Sequence, residues 1–244
     1  EDGIRDSSVT EFRRVLFRST GHNARELRAQ IQAAGPGVTV VACGGDGTVH
    51  LAVNASAGMD STLAVVPMGT GNDFARHLGL RGHNAGVAAL RAGVVRELDL
   101  GRIELQDGTV RYFAGIASCG FDAEVNERAN GYPGPQGTAK YLAAVLGQVR
   151  SLAALDLQVR IDDRHHDGRY TLLAVGNSTS YGGGMRICPT ADSSDGWLDV
   201  TAVDEVARRT LLRVLPRVFS GTHVRHPAVT QHRGQSIDIG GATF

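Results

Sequence analysis

Lysine is almost missing from this sequence: Lys140 is the only one in 244 residues, and arginine carries the rest of the basic charge. No G-x-x-x-x-G-K can therefore be written, which excludes a Walker A phosphate loop. Cysteine is scarce as well. Cys43, Cys119 and Cys188 lie far apart without C-x-x-C spacing, which argues against a disulfide framework or structural zinc and fits a reducing cytosol. No apolar run approaches the roughly 18 residues of a spanning helix, and no charged-then-apolar leader opens the chain. The expectation is a soluble, cytoplasmic protein whose only membrane contact is peripheral, at the inner face. Net charge is also absent, with Lys+Arg and Asp+Glu at 25 each. That argues against a global grip on nucleic acid, and any docking to an anionic bilayer must rest on a local patch.

What is present is glycine, 32 residues of it, in a chain 42% hydrophobic and 20% charged. Those proportions describe a folded chain large enough for two modest domains. Residues 1–19 are charged and serine-rich without helical or strand period, read as non-native or disordered, and stay outside the fold reasoning. From Thr20, a capping candidate, Ala24, Leu27, Ile31 and Ala34 share a helix face that Gly35-Pro36-Gly37 ends. Val38 to Cys43 reads as a strand buried on both faces, with Cys43 a small buried filler. Gly44-Gly45-Asp46-Gly47-Thr48 breaks it, and Val49, Ala52, Val53 and Ser56 follow at helical spacing. A second buried strand, Leu63 to Val66, runs through Pro67 into Gly69-Thr70-Gly71-Asn72-Asp73 and a helix start at Phe74 to Leu78. Strand, glycine turn, helix, repeated, is the pattern of an open parallel α/β domain, here assigned to 20–95.

Beyond about residue 95 the period changes to alternation. Leu98 to Leu105 and Val110 to Ala117 flank a turn at Gln106-Asp107-Gly108-Thr109, and Leu155 to Ile161 alternates strictly. Tyr170 to Val175, Leu198 to Val203 and Ser236 to Ile239 supply further strands, with helices expected over 139–152 and 205–219, the latter interrupted by Pro216. The fold class is thus α/β plus β: an open parallel α/β domain, then a mostly antiparallel, sandwich-like domain over 96–244.

The glycine turns carry the chemistry. Three glycines in Gly44 to Thr48 permit positive φ and bring backbone N–H groups to a polyphosphate without Cβ obstruction, while the next helix adds its N-terminal partial charge. Thr48 can donate a hydroxyl. Asp46 beside phosphates makes sense if it holds Mg²⁺, meets a ribose or acceptor hydroxyl, or takes that hydroxyl's proton; the plain reading is a tight turn with an Asx bond. The second turn, Gly69, Thr70, Gly71 and Asn72 with Asp73, leaves a parallel strand on the same side. Ligands bind at such strand ends. Arg76 follows one turn later.

The pair G-G-D-G-T and P-x-G-T-G-N-D-F-A-R resembles the diacylglycerol kinase catalytic-domain family, including bacterial multi-substrate lipid kinases. The resemblance extends through Leu98-Asp99-Leu100-Gly101, Gly120-Phe121-Asp122-Ala123, Gly137 to Tyr141, Gly182-Gly183-Gly184, Pro189 and Asp195-Gly196-Trp197-Leu198-Asp199. It implies ATP held by Gly44, Gly45, Asp46, Gly47, Thr48, Val49 and Thr70, and phosphorylation of a membrane lipid hydroxyl such as that of diacylglycerol. It implies Mg²⁺ on the Asp195 carboxylate and the carbonyls of Asp192 and Trp197. Asp46 and Asp73 are the catalytic candidates, and a homodimer is the assembly considered. The family's N-terminal Asn-Pro strand and its C-terminal Asp-Gly-Glu triplet have no match, so truncation at both ends and weak turnover are expected. Phosphorylation of a soluble acceptor, as in NAD kinases, and a non-catalytic nucleotide-binding regulator are the alternatives.

Overall fold

A computed structural model describes residues 23–120 and 154–241. The N-terminal stretch with Thr20, Asp122, the Gly137 to Tyr141 segment with Lys140, and the helix expected over 139–152 lie outside the described residues.

Helix α1 (Ala24–Ala34) is capped by Asn23, whose Oδ1 accepts from the Arg25 N–H at 3.0 Å, and Gly35 ends it at φ 87. The expected face, Leu27, Ile31 and Ala34, packs on Val38 and Ala55. Strands β1 (Val38–Gly44) and β2 (Ser61–Pro67) pair in parallel with Gly44 opposite Pro67, so the two glycine turns leave the sheet side by side. Between them runs α2 (Asp46–Ser56), which buries Val49, Ala52, Val53 and Ala55. Arg28 of α1 donates to the Ala55 and Ala57 carbonyls at 3.3 and 2.9 Å, closing the C-terminal end of α2. Cys43 is exposed rather than a buried filler. Strand alternation turns it away from Ala42, which faces the α2 core.

Short α3 (Asp73–His77) follows the second turn, and α4 (His83–Ala92), which the pattern did not announce, packs on β2. Gly86, a breaker by propensity, is what lets α4 approach: a Cβ there would stand 2.6 Å from the Val65 carbonyl oxygen. The expected strand from Leu98 begins at β3 (Gly101–Glu104), and its partner β4 (Val110–Phe113) stops at Ala114 instead of running on to Ala117. After that corner β5 (Ile116–Gly120) pairs with a different strand. The hairpin is a junction. Leu98 and Tyr112 pack with Val49 and Phe74, whereas Ile103 and Phe113 pack in the second core.

That second core lies on an all-antiparallel sheet of order β10-β9-β8-β6-β11, with β5 on β8 and β7 on β6. Its strands are β6 (Leu155–Ile161), β7 (Arg164–His165), β8 (Gly168–Gly176), β9 (Leu198–Asp204), β10 (Val229–Gly234) and β11 (Ile237–Gly240). Leu157, Val159 and Ile161 are buried in alternation, as their spacing requires. β10 escapes the sequence reading because Thr230-Gln231-His232-Arg233 is polar, which suits an outer strand. Helix α5 (Arg208–Val218) contains Pro216 without interruption. The proline sits in the last turn, so the hydrogen bond it removes and the crowding of its ring against the Leu212 carbonyl both fall near the end of the helix.

Candidate active site

Three glycine loops meet. Met68 N–H donates to the Gly44 carbonyl at 2.9 Å, and a Cβ on Gly69 would overlap Gly45 Cα, so the first two loops touch backbone to backbone. None of Gly44, Gly45, Gly47, Gly69 and Gly71 takes positive φ. This corrects the expectation that conformational freedom selects them; close approach does. The left-handed residue is Asn72, at φ 53. Its Oδ1 accepts from Gly69 N–H at 2.9 Å and its Nδ2 donates to the Gly69 carbonyl at 2.6 Å, which closes the second loop on itself.

Asp46 opens α2, and its carboxylate reaches across to the second loop. Oδ2 accepts from Asp73 N–H at 3.1 Å and Oδ1 from Phe74 N–H at 3.0 Å, so the first loop supplies the cap of α3. Asp73, 4% exposed, passes the link on. Its Oδ2 accepts from Gly183 N–H at 2.6 Å, and its Oδ1 from Arg76 at 2.7 Å. Arg76 also donates to the Gly71 carbonyl at 2.7 Å. Burial, then the nearby Asp46 charge, lift the Asp73 carboxyl above its usual range; the Gly183 N–H and Arg76 oppose the lift.

The third loop, Gly182-Gly183-Gly184, has positive φ throughout and is closed by a bridge between Tyr181 and Met185. With the Ala114-Gly115 corner and α2 it encloses a cleft of about 700 Å³. Gly45, Asp46, Gly47, Val49, Gly69, Thr70, Gly71 and Asp73 line it. Gly44, Thr48 and Asn72 do not: Thr48 is exposed and folded against Gly44, and Asn72 is spent on Gly69. Phe113, Ala114, Ser180 and His50 also line the cleft, and none stood out in the sequence. Burial, and then Arg111, hold the His50 imidazole below its ordinary value, so it is neutral near pH 7. The N–H groups of Asp46 and Gly47, at the start of α2, have no intrahelical acceptor, and both residues line this cleft, so the helix start is a natural seat for an anion.

The loop at 192–197 does not line that cleft. Asp192 Oδ1 accepts from the Ser194 N–H and hydroxyl, at 3.0 and 2.7 Å. Asp195 accepts from the Trp197 N–H at 3.0 Å and pairs with Arg233. Arg233 also approaches the buried Asp199 at 3.4 Å and lies over the Trp197 ring. Among the described residues no three His, Cys, Asp or Glu side chains gather to hold a metal. The oxygen donors of this loop suit a hard cation, with Arg233 as its competitor for Asp195.

Cleft and loops together define a two-part fold that offers backbone donors and paired carboxylates to a phosphorylated ligand. The comparisons carry this to a family. The diacylglycerol kinase catalytic domain model matches residues 8–103, which takes in part of the N-terminal 1–19 stretch, and the YegS C-terminal NAD kinase beta sandwich-like domain model matches 115–243. A diacylglycerol kinase of Mycobacterium tuberculosis is 39% identical over 221 residues, 89% of this chain and 71% of that protein. A YegS-like lipid kinase of Pseudomonas putida is 31% identical over 243 residues, 97% and 79% of the two chains. A crystal structure of a diacylglycerol kinase from Bacillus anthracis superimposes with a TM-score of 0.63 at 18% identity, covering 92% of this chain and 72% of that one. The chain belongs to the diacylglycerol kinase family and is a transferase. No helix among the described residues is long and apolar enough to cross a membrane.

Proposed function

We propose that this chain transfers the γ-phosphoryl group of Mg·ATP to the hydroxyl of a membrane lipid, diacylglycerol being the acceptor class. One observation carries the reading: Asp46 and Asp73 lace three glycine loops from both parts of the chain around a single cleft. The phosphates lie against the N–H groups at the start of α2, where a Cβ-free backbone and the helix dipole favour negative charge. Arg76, held by Asp73 and Gly71, adds positive charge at the same edge. Phosphoryl transfer needs little covalent help, so holding donor and acceptor in line supplies most of the catalysis. Asp46 acts as a positioning residue, its two oxygens tying the first loop to the Asp73 and Phe74 N–H groups. Asp73 has the raised proton affinity and spare lone pairs to take the acceptor's proton.

Mg²⁺ enters with ATP as substrate. We assign a second, structural Mg²⁺ seat to the 192–197 loop, with Asp195 and the Asp192 and Trp197 carbonyls as ligands and the ion outside the cleft. The test of function is incubation with γ-labelled ATP, Mg²⁺ and a total bacterial lipid extract, with Asp73→Asn in parallel. Label in a chloroform-soluble product, lost in the variant, is expected. Label in NAD with none in lipid would overturn the reading in favour of a soluble acceptor.

A further inference from the structure

Helix α5 carries four arginines in eleven residues, in a chain of zero net charge. Arg208, Arg209, Arg213 and Arg217 are all exposed, and among the described residues no carboxylate pairs with any of them. The nearest acidic neighbour in sequence, Glu205, is taken by Arg169 at 2.7 Å. Folding alone does not explain this pattern. Arg209, Arg213 and Arg217 repeat at i, i+4, i+8, where like charges oppose the helix. Arg208 and Arg209 stand in the first turn, at the positive end of the helix dipole, and no acidic residue is there to compensate. Like charges at this spacing and at this end of the helix oppose its stability, and an anionic surface would offset both effects.

Hydrophobic groups share that outer face. Leu211, Val214, Leu215 and Val218 turn inward over the β8–β9 sheet. Leu212 and Phe219, one heptad apart, are 43% and 36% exposed beside the arginines. An outward face of arginine mixed with Leu and Phe is the composition of a helix that lies in a membrane interface. The position suits the chemistry. Val218, the last residue of α5, accepts a hydrogen bond from Arg186 N–H at 3.0 Å, immediately after the Tyr181–Met185 hairpin whose Gly183 binds Asp73. Tyr181 lines both the cleft and the cavity beneath α5.

We propose that α5 is the membrane-docking element of this chain, and that it binds an anionic bilayer surface through its four arginines with Leu212 and Phe219 inserted. This rests on the lipid-kinase reading for its purpose, and not for its binding chemistry. Docking through α5 brings the glycine hairpin of the cleft to the bilayer, where a lipid hydroxyl can be presented without leaving the membrane.

The test is sedimentation with vesicles of phosphatidylcholine alone, or with about 30 mol% phosphatidylglycerol, at low and high salt. The wild type should bind only the anionic vesicles and be released by salt. Each arginine near such a surface is worth about fivefold in partitioning, so Arg213→Gln/Arg217→Gln should bind at least tenfold more weakly. Leu212→Ser/Phe219→Ser should weaken binding with the salt response retained. All four positions are exposed, so circular dichroism should stay at wild-type values, and the melting temperature should stay level or, for the arginine variant, rise slightly as like-charge repulsion is relieved. Equal binding by wild type and the arginine variant, equal binding to neutral vesicles, or tighter binding to a single-stranded RNA oligomer would each overturn the proposal. Activity separates the two readings. On short-chain diacylglycerol in neutral detergent micelles the arginine variant should match wild type, and on anionic vesicles it should fall about tenfold, in step with its binding. Vesicle binding that follows this pattern, without lipid phosphorylation in either format, would sink the kinase reading and leave the docking surface standing.

Discussion

Gly69 and Gly47 look equivalent in the sequence, and the structure makes opposite demands of them. A methyl group on Gly69 would overlap Gly45 Cα and stand 3.0 Å from Gly45 N, against backbone on both counts. Neither neighbour is a flexible side chain, so Gly69→Ala must push the two phosphate loops apart. Overpacking of this kind costs about 1–3 kcal/mol. For a chain of this length that is a melting temperature lower by roughly 2–12 °C. A displacement near 1 Å is enough to lower turnover by about 100-fold. Gly47 meets nothing within 4 Å and its φ is not positive. It lies in the first turn of α2, where alanine is the better helix former by up to about 1 kcal/mol. Gly47→Ala should therefore melt as high as wild type or a few degrees higher. Yet Gly47 lines the cleft at the proposed phosphate seat, so its affinity for ATP, measured by titration calorimetry, should fall at least tenfold. Stability and binding thus move together in one variant and apart in the other. Normal ATP affinity in Gly47→Ala would refute the seat at the start of α2, and an unchanged melting temperature in Gly69→Ala would refute the contact between the loops.

Asp46→Ala should lose about 2–4 kcal/mol in urea unfolding, because two backbone N–H groups lose their acceptor, with Asp46→Asn intermediate. Asp73 has its carboxyl raised by burial, so its ionised form costs stability as pH climbs above the ordinary 3.8. The stability of Asp73→Asn relative to wild type should accordingly improve as pH rises above about 4. A difference that worsened with pH would show that Arg76 outweighs burial. Burial pushes the Cys119 thiol to about 11 and the Cys188 thiol to about 12, whereas Cys43 is exposed. Native alkylation near pH 8 should give a single adduct, on Cys43, by mass spectrometry. Arg233→Met frees Asp195 from its competing cation, so Mg²⁺ should raise the melting temperature of that variant more than that of wild type; no response in either would remove the metal seat from this loop.

Much of this could be read in the chain, for identifiable reasons. β1 and β2 are continuous apolar runs ending in glycine turns, and parallel pairing brings those turns together. That argument needs nothing beyond local pattern, and the cleft it leads to is lined by Gly45, Asp46, Gly47, Gly69, Thr70, Gly71 and Asp73, with Val49 entering only through the family resemblance. Gly86 and the polar β10 mislead in the same way. Their residues answer to a neighbour, the carbonyl of Val65 or the β9 edge, and not to their own propensity. The carboxylates are the least legible from local pattern. Asp46 beside a glycine turn suggests a metal ligand, a base or a local Asx bond, and its partners are instead Asp73 and Phe74, 27 and 28 residues away. Asp73 in turn reaches Gly183, 110 residues on. No periodicity encodes such distances; they follow only once the chain, past the β4–β5 corner, has brought the Gly182–Gly184 loop to the first two. The arginines of α5 show the converse. Their charge was in the sequence all along, hidden in a net balance of zero, and it took the helix to set three of them on one face and the absence of acidic partners among the described residues to give that face a meaning. A sum of charges describes the whole chain, whereas a membrane responds only to the surface it meets.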